Sequence, residues 1–133
     1  MTRAAQGAAD AALAIDGIAS AAIFLTPEAG SDDGLALGGA AGISGPPLDG
    51  LVAAVADPAH PIRRAMGDPE ATFDVRPMNP GGPALRSHLP IRKPDGTTLG
   101  VVAVAHDQPL SAEARAALAA LADGLATDGR TGA

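Results

Sequence analysis

The sequence has no cysteine, no tryptophan and no tyrosine, and its only aromatic side chains are Phe24 and Phe73. Without cysteine there is no disulfide, no thiolate metal site and no cysteine nucleophile. Without large rings the core has to be filled by Leu, Ile, Val and many Ala. Small side chains bury little area each, so backbones must approach closely to compensate. Long apolar runs are missing too: no window approaches the roughly 20 apolar residues of a membrane span. The opening "MTRAAQGAADAALAIDG" is broken by Asp10 and Asp16, and no cleavage site follows, so it does not read as a signal peptide. These absences lead us to expect a cytoplasmic protein.

Positive charge is scarce. Nine Lys and Arg face fifteen Asp and Glu, for a formal net charge of −6. Nucleic acid and anionic membranes are therefore disfavoured as partners, because neutralising phosphates needs a basic face. No P-loop, nucleophile elbow or paired-carboxylate signature is visible, and the three histidines show neither HxH nor HExxH spacing. The expectation is no catalytic residue, no metal and no cofactor.

What is present is the length and patterning of one domain, over residues 1–126, with 127–133 expected as a flexible tail. The alanine-rich stretch 4–19 predicts a helix. "SAAIFLT" and "LALGGAAG" predict two strands around the polar turn "PEAGSDDG", with a bulge or bend at Gly38 and Gly39. "SGPPLDGLVAAVAD" predicts a helix: Pro47 suits its first turn, and Leu48, Leu51, Val52 and Val55 form a stripe. "DPAHP" breaks it and "IRRAMGD" allows another turn or two. "ATFDVRP" alternates as a half-buried strand, and "MNPGGP" is a loop. A last helix from about Ser111 to Ala126 carries a plausible N-cap in Ser111, with Glu113 in its first turn. Both terminal helices are apolar on most sides, as expected of helices packed on each other and against a second copy of the chain. The plainer alternative is that exposed Ala is simply a good helix former.

The most informative stretch is "HLPIRKPDGTTLGVVAVAH", residues 88–106: two strands joined by a turn, with a histidine at each outer end. If Arg92 pairs with Thr98, Leu89 faces Val101, Ile91 faces Leu99 and His88 faces Val102. That register makes one face fully apolar and gathers Arg86, His88, Arg92, Val102, Val104 and His106 on the other. An apolar floor with a few convergent donors is what a pocket wall looks like, and a small anionic molecule such as a carboxylate would suit it. His60 of "DPAHP" could close over the site, and Gly81 and Gly82 of "NPGGP" could offer backbone amides. Plainer readings stand beside each: Arg86 and Arg92 at strand ends in water, His88 as a sheet residue, His106 as a hydrogen-bond partner, and the two segments as an ordinary turn and loop. In this register His88 and His106 lie roughly 13 Å apart along the strands, too far to share an ion.

The order of elements fits an α+β sandwich, and the wording resembles the GAF family of small sensory domains. "LPIRKPDGTTLGVVAVAHDQPLSAEARAALAALADGLA" carries the resemblance, with its Pro in the first strand, D-G turn, "LGVVAVA" strand and closing helix. "IASAAIFLT" is similar to the family's first strand. Residues 5–126 fit, with 40–80 matching in outline. The resemblance implies a GAF-like (profilin-like) sandwich: a central antiparallel sheet of five to six strands, terminal helices on one face, often dimerising, and short helices and loops enclosing a pocket on the other. It also subtracts. The bilin-binding members attach pigment through a cysteine, and the free-methionine-sulfoxide reductases need cysteines. The cyclic-nucleotide binders carry an Asn-Lys-Phe-Asp-Glu signature absent here. The implied role is a free-standing, ligand-binding regulatory domain in signal transduction, homodimeric and non-catalytic, with a signalling protein as partner in trans. The alternatives are a dimerisation module with a collapsed pocket and a haem-binding sensor using one histidine.

Overall fold

Gly17, with φ of +95°, lets the chain reverse between the first helix and the first strand. The computed structural model describes residues 3–26, 35–68, 70–76 and 85–131. Its elements are α1 (Arg3–Leu13), β1 (Ile18–Leu25), β2 (Ala36–Ala41), α2 (Gly45–Val55), α3 (Pro61–Ala65), β3 (Thr72–Val75), β4 (Leu85–Arg92), β5 (Thr98–His106) and α4 (Ala112–Thr131). The helix expected over 4–19 thus stops at Leu13, and Ile18 opens the strand. At the other end α4 runs past Ala126 to Thr131, into residues the sequence assigned to a tail. Ser111 caps it as expected: its hydroxyl accepts the Ala114 N–H at 3.1 Å.

The five strands form one antiparallel sheet in the order β2-β1-β5-β4-β3. On one face lie α1 and α4. Ala5, Ala8, Ala9 and Ala12 of α1 join Leu118, Ala122 and Leu125 of α4 over Ala21, Ile23, Leu89, Ile91, Val102 and Val104. Alanine lets the layers close in. Where α1 crosses β2, a Cβ on Gly39 would fall 2.6 Å from the Gln6 backbone, so only glycine fits. Gln6 uses that proximity: its side chain accepts the Ala40 N–H at 3.1 Å and donates to the Ala40 carbonyl at 2.7 Å. β1 and β5 approach as tightly, with a Cβ on Gly100 placed 1.9 Å from the Phe24 carbonyl oxygen.

The other face is covered differently. Ala22, Phe24, Val101 and Ala103 meet Val55 of α2 and Ile62 and Ala65 of α3. Of the stripe expected on α2 only Val55 is fully buried. Leu48 and Leu51 are half-buried and Val52 is exposed. The helix stands off the sheet over an alanine floor. The described residues thus make an α+β sandwich of three layers.

Two strand irregularities set which side chains share a face. Between β1 and β2 the register shifts after Ile23↔Gly39 to Phe24↔Leu37, leaving Gly38 as the extra residue, a bulge where the glycine pair predicted one. Between β4 and β5 Arg92 pairs with Thr98, as expected. The next pair, however, is Ile91↔Gly100, so Leu99 is extra. From there on Leu89 opposes Val102 and His88 opposes Ala103, one residue away from the predicted register.

Candidate functional site

That one-residue step overturns the predicted faces. Leu85, Ser87, Leu89 and Ile91 share a side with Val102, Val104 and His106, facing the terminal helices. Arg86 and His88 share the opposite side with Ala103 and Ala105. Neither face is fully apolar, because the helix-facing side buries Ser87 and His106 at 0 % exposure. The single-residue slip, which burial seemed to forbid, is tolerated because those two polar groups satisfy each other.

On the helix side Ser87 and His106 form a closed relay. The Asp74 N–H donates to Ser87 Oγ at 3.1 Å, Ser87 Oγ lies 2.8 Å from His106 Nε2, and His106 Nδ1 lies 2.7 Å from the Gln108 carbonyl. A carbonyl cannot donate, so Nδ1 carries the proton and the serine hydroxyl donates to Nε2. Asp74 anchors the chain. It sits at φ +59°, its carboxylate accepts the Leu110 N–H at 3.0 Å and Arg115 at 2.5 Å, and Arg115 stacks over Phe73 at 4.7 Å from the ring centroid. The Leu110 amide, followed by Arg115, holds the Asp74 carboxyl below its usual range. Both of its ring nitrogens are engaged within the protein, so its place is structural.

On the other side, between the sheet and α2 and α3, lies a cavity of about 390 Å³. Its floor is alanine from β1 and β5. Its walls are Ile43, Pro47 and Leu51 from the α2 side and Pro61 and Ile62 from α3, and its polar groups are Ser20, His60, Arg86 and His88. Among the described residues no carboxylate lines it. α3 is pinned to the end of α2 by Arg63, whose guanidinium donates to the Val55 and Ala56 carbonyls. His60 caps α3 by accepting the Ile62 N–H on Nδ1 at 3.1 Å. In the neutral ring Nε2 therefore holds the proton and can donate to a ligand. Burial lowers the His60 pKa, with Asp57 opposing.

His88 stands out. It is 6 % exposed, and among the described residues it has no hydrogen-bond partner. It lines the cavity and also a second, outer cleft of about 190 Å³, formed with Pro61, Arg64, Asp68 and Thr72. Burial pushes its pKa down to about 4, helped by His60 and Arg86 and opposed by Asp68. Its ring nitrogens are not sealed off: they open onto the cavity space, where water or a ligand can reach them.

Of the residues singled out from sequence, the structure brings His60, Arg86 and His88 together at the cavity. Val104 contributes to its lining although it packs in the helix-side core. Val102 and His106 lie on the far face of the sheet. Arg92 is elsewhere, donating to the Met66 and Asp68 carbonyls after α3. Gly81 and Gly82, like the turn "PEAGSDDG", lie outside the described residues. Ser20 and the residues before and along α2 were not singled out. Ser20's alternation with Ala22 and Phe24 was the available signal. Among the described residues no group of three or more His, Asp or Glu is placed to hold a metal, and no helix is long and apolar enough to cross a membrane.

No protein-family model matches the chain, and no curated protein does. Solved structures do. The second GAF domain of DevS from Mycobacterium smegmatis superposes with a TM-score of 0.74 at 19 % identity, covering 97 % of this chain and 92 % of that one. A GAF-B domain of DevS from the same organism gives 0.69 at 20 %, covering 98 % and 97 %. The GAF domain of an Acinetobacter phosphoenolpyruvate-protein phosphotransferase gives 0.69 at 14 %, covering 92 % and 78 %. The fold is that of GAF domains.

Proposed function

We propose that this GAF-folded chain is a small-molecule-sensing regulatory domain of signal transduction, cytoplasmic and without catalytic activity, whose ligand occupies the 390 Å³ cavity. One observation carries the reading: His88 is buried at the cavity wall with no described partner, a group that a ligand would satisfy. The cavity lies within the size range of small-molecule sites, and its few donors on an apolar floor fit an anionic ligand. A collapsed pocket would have favoured a pure interaction module, and open space beside an unpartnered imidazole speaks against it. Haem is a poorer occupant, because a cavity near the small end of the usual range is tight for a macrocycle.

The reading includes a homodimer through the terminal helices, supported by the exposure of Ala4 and Ala11 on α1 and of Ala116, Ala119 and Ala120 on α4. Thermal denaturation against a panel of small carboxylates tests the ligand. A specific one at 100 times its Kd adds about 2.7 kcal/mol. If no anion raises the midpoint, the sensing role is wrong.

A further inference from the structure

We propose that the cavity takes a small, mainly apolar carboxylic acid in its ionised form, and that binding it places a proton from solvent on His88. This rests on the ligand-binding reading above and specifies the ligand.

The polar groups of the cavity are unevenly matched. Arg86 is a fixed cation beside it, half-buried in β4, with one guanidinium nitrogen donating to the Leu85 carbonyl and a further interaction holding the residue in place. His60 presents a donor from Nε2, because its Nδ1 is taken by the Ile62 amide. His88, on β4 two residues from Arg86, is nine-tenths buried and has no described partner. Ser20 adds a hydroxyl, and the remaining lining is apolar. Three nitrogen-bearing side chains and, among the described residues, no carboxylate make a site that discriminates by charge: an anionic head gains charge-assisted hydrogen bonds, and an ammonium meets repulsion. Alanine and aliphatic walls suit the rest of the molecule.

The charged and titratable groups facing His88 are His60 from the start of α3, Arg86 from its own strand, and Asp68 and Arg64 around the outer cleft. The neighbouring positions of β3 and β5, Thr72 and Ala103, carry no charge. With no anion beside it, burial, helped by His60 and Arg86, keeps the ring neutral. A carboxylate seated against it reverses the local balance, because an opposite charge at contact raises an imidazole pKa by about 1–3 units. Since the complex holds the proton more tightly than the free protein does, affinity rises as pH falls.

The test is calorimetry on the full chain with three probes of one shape: benzoate, benzenesulfonate and benzyl alcohol. Each is titrated at pH 5.5 and 7.5 in two buffers of different ionisation enthalpy. Benzenesulfonate stays ionised throughout, so any proton taken up goes to the protein. The expected result is binding of both anions ahead of the alcohol. From pH 7.5 to 5.5 benzenesulfonate should tighten about fourfold, corresponding to a shift of about two units at His88, with more than about half a proton taken up per ligand at the acid end and almost none at the other. The His88 imidazole resonances in the wild-type protein should titrate upward when benzenesulfonate is present, and His88→Gln should bind without proton uptake. Anion binding with no proton uptake, or the alcohol binding as tightly as the anions, overturns this inference while leaving the sensing role in place. If none of the three binds, this inference falls, and the sensing role is decided by the wider carboxylate panel.

Discussion

His106 and His88 are buried in the same sheet, and their surroundings are opposite. His106, facing the terminal helices, is fully buried and has both ring nitrogens engaged. His88, facing α2 and α3, has neither engaged among the described residues and borders two cavities. The faces around them differ in the same sense. One is closed by alanine helices down to backbone contact, while the other is bridged by helices that stand off an alanine floor. One imidazole is engaged by the protein itself, and the other is left to whatever enters the space beside it.

The largest effect that would sharpen this contrast is at His106. Replacing it with Leu removes the acceptor for the Ser87 hydroxyl and the donor to Gln108 inside a packed layer. Stability in chemical denaturation should fall by about 3 kcal/mol. A loss well under 1 kcal/mol would break the claim that this face depends on its relay.

Next comes the wild-type response to acid, to which His88 contributes most. Its folded pKa of about 4 lies below the 6.5 of an exposed histidine, so between these values the unfolded chain binds more protons. Its contribution is whole above pH 6.5 and is lost as pH falls towards 4, a swing of about 3 kcal/mol at the limit. His60 acts in the same direction. Asp74, whose carboxyl is also held low, contributes above its unfolded value and is lost only at lower pH, so it does not mimic the effect. A denaturation midpoint flat from pH 7 to 4.5 would contradict the burial argument.

The smallest effect is expected from His88→Leu, which trades an unpartnered polar ring for an apolar side chain. At pH 7 the variant should lie within about 1 kcal/mol of wild type, on the stable side if the cavity wall closes around it, and its acid slope should flatten. A loss as large as that of His106→Leu would mean that His88 is structural too, and the comparison would collapse.

Much of this arrangement was legible in the chain. Periodicity and the cap at Ser111 gave the last helix, the glycine pair gave the bulge in β2, and the resemblance gave the sandwich. The membership of the cavity was read only in part. His60, Arg86 and His88 were found because they are chemically distinct and lie near breaks or on one strand face. Val102 and His106 were misplaced because alternation was carried straight through the hairpin turn. Alternation reports parity only while pairing is continuous, and nothing in "DGTTLGVV" announces that Leu99 is extra. Burial did not arbitrate, because valines lie on both faces of β5 and its alanines would suit either side. The polar pair that decides the matter, Ser87 with His106, joins residues 19 apart, which no local pattern displays.

The extra Leu99 has a consequence for how such chains diverge. One residue of slack beside a turn inverts the phase of everything downstream in its strand, so a single-codon insertion or deletion can exchange the chemical lining of the two sides while every side chain keeps its identity. Relatives aligned across this hairpin without a gap would be assigned the wrong residues at the cavity, and a new specificity could arise there without any substitution.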